Sequence, residues 1–274
     1  MQRILKDWRA WICVSVLLFV VLLGVFAPWI ATKAPNTLQG KKLLPPGGEF
    51  FLGTDIFSRD IFSRLCHGAR ISLTVSLGSV AFAMIVGTAL GIIGGFFRGS
   101  LWETIIMRAI DFLLSFPTLV LAIMVVAFVG TEVHVLVFVI GMVYIPTFAR
   151  VAYNATRSVR EMAFIEAAQA MGCRSFRILL RAVLPSIMAP LLVQASLRVG
   201  NAILVESGLS FLGLGAPPPA VSWGQMIREA IRFLNLSYLP LLWPSLLISL
   251  TVLGTNVLGD VLRDSLDPRL KGRH

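Results

Sequence analysis

Uncharged stretches about as long as the hydrocarbon core of a bilayer recur along this chain of 274 residues. Only 14% of the residues are charged, against roughly 25% in a typical soluble domain. If these stretches were buried helices of a soluble protein, too little polar surface would remain to cover them. We therefore predict an all-α integral membrane protein with six transmembrane helices, formed by residues 10–32, 71–97, 112–131, 133–149, 182–205 and 233–259.

The first stretch follows Arg3, Lys6 and Arg9, an arrangement that also fits a cleaved signal peptide. Its apolar part is longer than the core of a usual signal peptide, and no small-x-small cleavage site follows it in PWIATKAP. We expect an uncleaved transmembrane helix. Together with an outer loop and a surface helix, it makes an N-terminal region of residues 1–70.

Lys and Arg in the connecting segments predict the orientation of the chain. With the N-terminus in the cytoplasm, the inner segments hold nearly twice as many of these residues as the outer segments. Both termini are then cytoplasmic, and residues 263–274 form a cytoplasmic tail. The net charge of +10 requires no nucleic-acid partner, because positive inner loops beside anionic membrane lipid account for it.

The outer segment after the first helix ends in FLGTDIFSRDIFSRL, in which large apolar residues recur at every fourth position. This pattern predicts a short amphipathic helix on the outer membrane surface, beginning at Thr54 or Asp55. Asp60 and Arg64 lie four residues apart on another face, where we expect them to form an ion pair. A solvated surface helix is the alternative.

Motifs typical of catalysis or of ATP binding are missing from the sequence, including G-x-x-x-x-G-K-[ST], H-E-x-x-H and G-x-S-x-G. The three cysteines and three histidines are scattered, without the spacing of metal ligands. The relay of intramembrane acids or histidines that a proton-driven carrier usually has is missing as well. We expect no catalytic residues, no metal and no cofactor in this chain. If the protein pumps, its energy comes from another subunit.

The inner loop at 150–185 is long, basic and helix-prone, and it contains the sequence EAAQAMG. Its alanines give a helix a slim surface that another protein can approach closely, and Gly172 allows a turn after them. The pattern predicts a short helix held away from the membrane by two supports. The alternative is a basic amphipathic segment that rests on anionic lipid.

This loop resembles the EAA loop of ABC importer permeases, whose pattern is EAA, three residues, Gly, nine residues and then I-x-L-P. The residues that match at the right spacing are Glu166, Ala167, Ala168, Gly172, Leu184 and Pro185. Ala182 departs from the pattern, because the family often has Ile there. Further blocks between residues 52 and 270, such as GLSFLGLGAPPP and NVLGDVLRDSLDPRL, are similar to the C-type membrane subunit of dipeptide, oligopeptide and nickel importers.

The resemblance implies the transmembrane fold of type I ABC importers over residues 71–262, in a bacterial cytoplasmic (inner) membrane. It implies that the EAA helix, with Glu166, Ala167, Ala168 and Gly172, is a coupling helix seated in an ATP-binding subunit. The implied partners are a second homologous permease, two ATP-binding subunits and an extracytoplasmic solute-binding protein. The substrate would be a peptide or, alternatively, a nickel complex or glutathione. The alternative from a different functional class is a membrane scaffold or channel without transport coupling. Such a protein would bind no ATPase subunit.

Arg198 lies near the middle of the fifth predicted span, where an arginine costs about 2.5–3.5 kcal/mol on insertion scales and so should not face lipid. Gln194 and Asn201 share its helix face. Glu206 lies roughly 12 Å further along the axis, too far for a direct pair. We hypothesise that these four residues line the translocation path and that Arg198 meets an anionic group of the substrate. The alternative role of Arg198 is a clamp to the partner permease.

The two loop cysteines should report the predicted orientation. Cys66 is expected to react from outside with a membrane-impermeant maleimide, whereas Cys173 should react only after the membrane is opened. The measurement is maleimide labelling of intact and permeabilised cells. Labelling of Cys173 in intact cells would contradict the orientation that the positive inner loops predict.

Overall fold

Proline, glycine and capping residues set the helix ends in the computed structural model, which describes residues 8–266. Most of the predicted tail at 263–274 lies outside that range, as do Arg3 and Lys6. Within it the regular elements are all helices, as predicted. In chain order they are α1 (Trp8–Val25), α2 (Ala27–Ile30), α3 (Ile61–Phe96), α4 (Leu101–Leu114), α5 (Thr118–Val129), α6 (Val133–Arg160), α7 (Ala163–Ala170), α8 (Ser175–Ile178), a π-helical turn (Leu179–Val183), α9 (Leu184–Phe211), α10 (Trp223–Ile231) and α11 (Leu239–Leu266).

Four helical segments are each long and apolar enough to cross a membrane: α3, α6, the continuous helix from Ser175 to Phe211, and α11. The α4–α5 pair fits a fifth span, although its two helices meet at an angle of 94°. The break falls at Ser115–Pro117, where Pro117 cannot donate the backbone hydrogen bond that a continuous helix needs. The apolar part of α1, Trp11–Val25, is shorter than these spans, so the count of six stays a prediction.

The outer segment corrects the predicted surface helix at residues 54–65. The Asp55 carboxylate accepts hydrogen bonds from the backbone N–H groups of Phe57 and Arg59, both at 2.8 Å, and so closes a turn where the prediction started a helix. The helix begins after Asp60, whose carboxylate caps it by accepting from the Ser63 backbone N–H at 2.9 Å. Residues 61–65 are therefore the outer end of α3, and Asp60 and Arg64 are buried rather than on a surface helix.

Cys66 is fully buried in α3, which corrects the expectation that it reports the outer side of the membrane. It packs in a cluster that joins α1, α3 and α10, because the apolar face of residues 61–73 is turned inward. A cysteine placed at the exposed Lys41 of the preceding loop is the suitable external reporter. Cys173, half-buried between α7 and α8, keeps its place in the labelling test.

The close approach of α3 and α6 forms the centre of the fold. Gly87, Gly91 and Gly95 lie four residues apart on one face of α3, and a Cβ atom added at any of them would overlap backbone atoms of α6. At Gly91 the overlapping neighbours include the carbonyl of Ala149 and the Cβ of Ala152. Small residues at such spacing let two membrane helices pack backbone against backbone.

We expect Gly91→Ala to lower the free energy of unfolding by about 1–3 kcal/mol, because the added methyl group cannot be accommodated against the backbone of α6. The matched control is Gly94→Ala, where a Cβ would meet only side-chain atoms at 3.5–3.9 Å. Since Ala is the better helix former, this control should be neutral or stabilising by up to about 1 kcal/mol. Thermal unfolding of the purified variants measures the difference, and equal midpoints would contradict the close approach.

Candidate functional site

The EAA loop, which we define as residues 161–178, is a short helix closed by a specific turn. After α7 the chain turns at Gly172, whose φ is +75°. The Gly172 N–H donates to the carbonyl of Gln169 at 2.9 Å, and the Cys173 N–H donates to that of Ala168 at 3.1 Å. These two bonds make a Schellman motif, which favours glycine at the position of positive φ. The predicted turn after the alanines is confirmed.

Two buried side chains attach the EAA loop to the helix bundle. Ile165 of α7 and Ile178 of α8 both lie in the main hydrophobic core, and Ala168 packs against that core. Glu166 and Ala167, in contrast, are exposed. The loop is therefore held at two points and presents its other side outward.

The outward side of the EAA loop carries large apolar residues that sequence reasoning missed. Met162, Phe164, Met171 and Phe176 are 46%, 48%, 76% and 72% exposed. These four side chains, which we call the apolar patch, give the loop an exposed apolar surface of the kind that marks a contact with a partner. The signal was present in the sequence, because Met and Phe flank the EAA motif on both sides.

A single helix leads from the EAA loop into the membrane region. From Ser175 to Phe211 the helix is continuous through α8, the π-helical turn and α9. Within the π-helical turn, the N–H of Leu184 donates to the carbonyl of Leu179, five residues back. Pro185 follows directly and has no N–H, so the ladder of hydrogen bonds is altered where the helix enters its apolar part.

Three of the predicted path residues lie on α9 and are not enclosed by this chain. Gln194 and Arg198 are half-buried and Asn201 is exposed. The guanidinium carbon of Arg198 lies 5.6 Å from the centre of the Tyr144 ring on α6, and its buried Nε has no hydrogen-bond partner in the described structure. Among residues 8–266, no carboxylate lies within ion-pair distance of Arg198. Its charge therefore lacks the neighbour that charged groups in membrane helices usually have.

Glu206, the fourth predicted path residue, is on the same helix but is buried inside the bundle, and its inclusion in the path is corrected. It is fully buried and accepts hydrogen bonds from Ser72 at 3.0 Å, from Ser210 at 2.8 Å and from Ser207 at 3.4 Å. Ser222 extends the network by donating to the Ser210 hydroxyl at 3.0 Å. The carboxylate thus joins α9 to α3 and to the start of α10. Sequence reasoning missed this network because Ser72 and Ser222 are far from Glu206 along the chain.

A second group of polar residues, two buried and two half-buried, lies at the helix ends that are predicted to face outward. We call it the outer ion cluster, and it consists of Asp55, Arg59, Arg64 and Glu229. Arg64 is 1% exposed and donates to Glu229 at 2.9 Å. Arg59 donates to Asp55 at 2.7 Å and also pairs with Glu229. The predicted pairing of Arg64 with Asp60 is wrong, because Asp60 is occupied in capping α3. The cluster ties the outer loop and α3 to α10.

Two family descriptions match the sequence. Residues 87–272 match the family described as binding-protein-dependent transport system inner membrane component. Residues 1–46 match the N-terminal transmembrane domain of oligopeptide transport permease C.

Curated relatives match over nearly the whole chain. A dipeptide transport system permease protein, DppC, from Alkalihalophilus pseudofirmus is 38% identical over 98% of this chain and 89% of its own length. A glutathione transport system permease protein, GsiD, from Pectobacterium atrosepticum is 40% identical over 96% of this chain and 89% of its own length. A di/tripeptide transport system permease protein, DppC, from Pseudomonas aeruginosa is 39% identical over 93% of this chain and 86% of its own length.

A solved structure shares the fold. A chain of the MetNI methionine ABC transporter, in an inward-facing conformation, matches with a TM-score of 0.58 and 18% identity. The match covers 73% of this chain and 94% of the other. At that identity the likeness concerns the arrangement of the helices.

We expect Glu229→Gln to lower the free energy of unfolding by about 3 kcal/mol, because it leaves Arg64 buried without its nearest counter-charge. The matched control is Glu49→Gln, which breaks the ion pair between Glu49 and Lys33. This pair lies at the surface, and the Glu49 side chain is 75% exposed. An exposed pair contributes at most about 1 kcal/mol. Heat unfolding of both variants measures the difference. Equal losses of unfolding free energy would show that the outer ion cluster stabilises the protein no more than an exposed ion pair does.

Proposed function

We propose that this chain, which belongs to the family of binding-protein-dependent transport system inner membrane components, is the permease subunit of an ATP-driven peptide importer. As a member of that family, it is a multi-pass inner membrane protein and a transporter subunit rather than a catalytic enzyme. The transmembrane domain over 71–262 would form half of the translocation path. Six spans, two cytoplasmic termini and the absence of a cofactor in this chain are part of the proposal.

The observation that carries the proposal is the EAA loop. It offers an exposed apolar patch on a short helix that is anchored to the bundle by Ile165 and Ile178. A partner that binds the apolar patch can therefore shift the helix bundle, because α8 continues into the membrane helix α9. This supports the role of α7 as the coupling helix, with an ATP-binding subunit as the partner.

The proposed mechanism is alternating access driven from the cytoplasmic side. Two ATP-binding subunits, one under this chain and one under a second homologous permease, close on each other when ATP binds. The EAA loops follow them, and the spans re-pack so that the path opens toward the solute-binding protein outside. The coupling is a free-energy difference: ATP favours one conformer of the whole assembly, and the loaded binding protein favours the same one.

Peptides are the proposed substrate class because the relatives named above carry dipeptides, di- and tripeptides or glutathione. Glutathione is the second candidate, since one of these relatives, at 40% identity, is a glutathione permease. The test is uptake of radiolabelled dialanine, trialanine and glutathione into proteoliposomes that contain the complete importer. Identifying the binding protein that co-purifies with the complex, and what it binds, narrows the choice further. Failure to bind any ATP-binding subunit would overturn the proposal in favour of an uncoupled scaffold or channel.

The coupling role predicts that two substitutions in the EAA loop abolish substrate-stimulated ATP hydrolysis. Gly172→Pro should do so because proline cannot adopt the positive φ of the turn and removes the N–H that bonds to Gln169. Glu166→Lys should do so because it reverses the charge in the first turn of α7, where the helix dipole favours an anion. We expect stimulation to fall at least about tenfold in the reconstituted complex, with normal membrane insertion.

The matched control is Gly172→Asn. Asparagine tolerates a positive φ, and a Cβ at this position would meet nothing within 4 Å. This variant should keep most of the stimulation, which separates a requirement for the turn from sensitivity to any substitution. Coupled hydrolysis at the normal rate in both Gly172→Pro and Glu166→Lys would show that the loop does not transmit force.

A further inference from the structure

We infer that Arg198, supported by the ring of Tyr144, is an anion-binding position in the translocation path that receives the carboxylate of the passing peptide. This inference rests on the proposed function and adds to it the group of the substrate that this chain recognises. It concerns the face of α9 formed by Gln194, Arg198 and Asn201, which this chain leaves open.

Arg198 lies too deep in the span for its guanidinium group to reach water at the membrane surface. Counting residues along α9, it lies roughly 20 Å from either end of the helix, in the middle of an apolar span. Either face of the hydrocarbon core is about 15 Å from the middle of a span, farther than an arginine side chain extends. Its charge must therefore be met inside the protein or inside a water-filled path.

No described residue of this chain supplies the counter-charge. Glu206, on the same helix, is occupied by serine hydroxyls, and Asp111 is paired with Arg150. What the chain does supply is the Tyr144 ring at 5.6 Å, against which a guanidinium can stack while its N–H groups stay free. The ring holds the cation in place without neutralising it.

The free N–H groups of an arginine are arranged as a planar fork that matches a carboxylate. Gln194 and Asn201 lie within one turn on either side and can donate amide N–H bonds to the same oxygen atoms or to the adjoining peptide unit. The face as a whole is rich in donors and holds no described carboxylate. An anion, and in a peptide its terminal carboxylate, is the complementary ligand.

The first test asks whether Arg198 borders water in the assembled importer. In a Cys13→Ser, Cys66→Ala, Cys173→Ser background, the thiol of Arg198→Cys should react with the charged, membrane-impermeant reagent sodium (2-sulfonatoethyl)methanethiosulfonate. The matched control is Ile203→Cys, which replaces a fully buried residue of the same helix and should stay unlabelled. Absence of labelling at Arg198→Cys, with the complex intact, would overturn the inference, because the residue would then be sealed in an interface.

The second test asks whether transport requires the positive charge of Arg198. In proteoliposomes with the complete importer, Arg198→Gln should lower the maximal uptake of dialanine, trialanine or glutathione, whichever the wild type carries, at least about tenfold. The concentration of loaded binding protein at half-maximal uptake should stay unchanged, since that contact lies outside the membrane. Arg198→Lys keeps the charge and should retain a larger share of the activity than Arg198→Gln.

Three results would overturn the inference while leaving the proposed function standing: full uptake by Arg198→Gln, a reduced yield of assembled complex with that variant, or equal losses for Gln and Lys. A reduced yield would instead identify Arg198 as a clamp to the second permease. If the wild-type importer takes up none of the three peptides, the proposed function fails. That failure is distinguishable because it is seen before any substitution is made.

Discussion

The hydrocarbon core of a bilayer contains no water, so a charged or polar group within a span needs a partner supplied by protein or by an enclosed path. Most of this protein's buried polar groups meet that condition internally. Glu206 accepts hydrogen bonds from serine hydroxyls of α3 and α9, and Arg64 donates to Glu229. These contacts determine which helices lie together at the outer side of the bundle. Arg198 departs from the rule, and its open face is the reason for assigning it a ligand.

The packing of α3 on α6 forms the tightly packed frame of the fold. Glycines along α3 bring the two backbones into contact, so the pair cannot shift without losing many close contacts at once. The α4–α5 pair, by contrast, is bent at Pro117 and exposes many large side chains, among them Leu101 and Phe128. The bundle thus combines a tightly packed centre with elements that this chain alone does not cover. This is the division of roles expected of a subunit that works beside other subunits.

The sequence predicted the membrane class, the EAA loop and the family, because each of these depends on residues close together along the chain. Hydropathy located the four helices that are long enough to cross a membrane, and the spacing of EAA, Gly and Leu-Pro identified the loop whose turn at Gly172 the structure confirms. The resemblance to peptide importer permeases is confirmed by relatives that match over nearly the whole chain.

Features that depend on distant residues were not predicted. The buried carboxylate of Glu206 accepts from Ser72, which lies 134 residues away along the chain. Arg64 was assigned to a neighbour four residues away, whereas its partner Glu229 lies on α10, far along the chain. Periodicity gives no information on such pairs. The same limit placed Glu206 in the path, although Ser72 of α3 and two serines of α9 donate hydrogen bonds to its buried carboxylate.

The continuous helix from Ser175 to Arg198 would also serve as a lever arm in the proposed coupling. At 1.5 Å per residue it is about 35 Å long, so a tilt of about 5° at the EAA loop would displace the helix axis at Arg198 by about 3 Å. That displacement is about the length of one hydrogen bond. If the proposed coupling holds, a movement at an ATP-binding subunit that is too small to change the packing of α3 on α6 would still be large enough to make or break the proposed contact between Arg198 and a carboxylate. In such an arrangement, transport requires little rearrangement of the frame, because the amplification is built into the length of one helix.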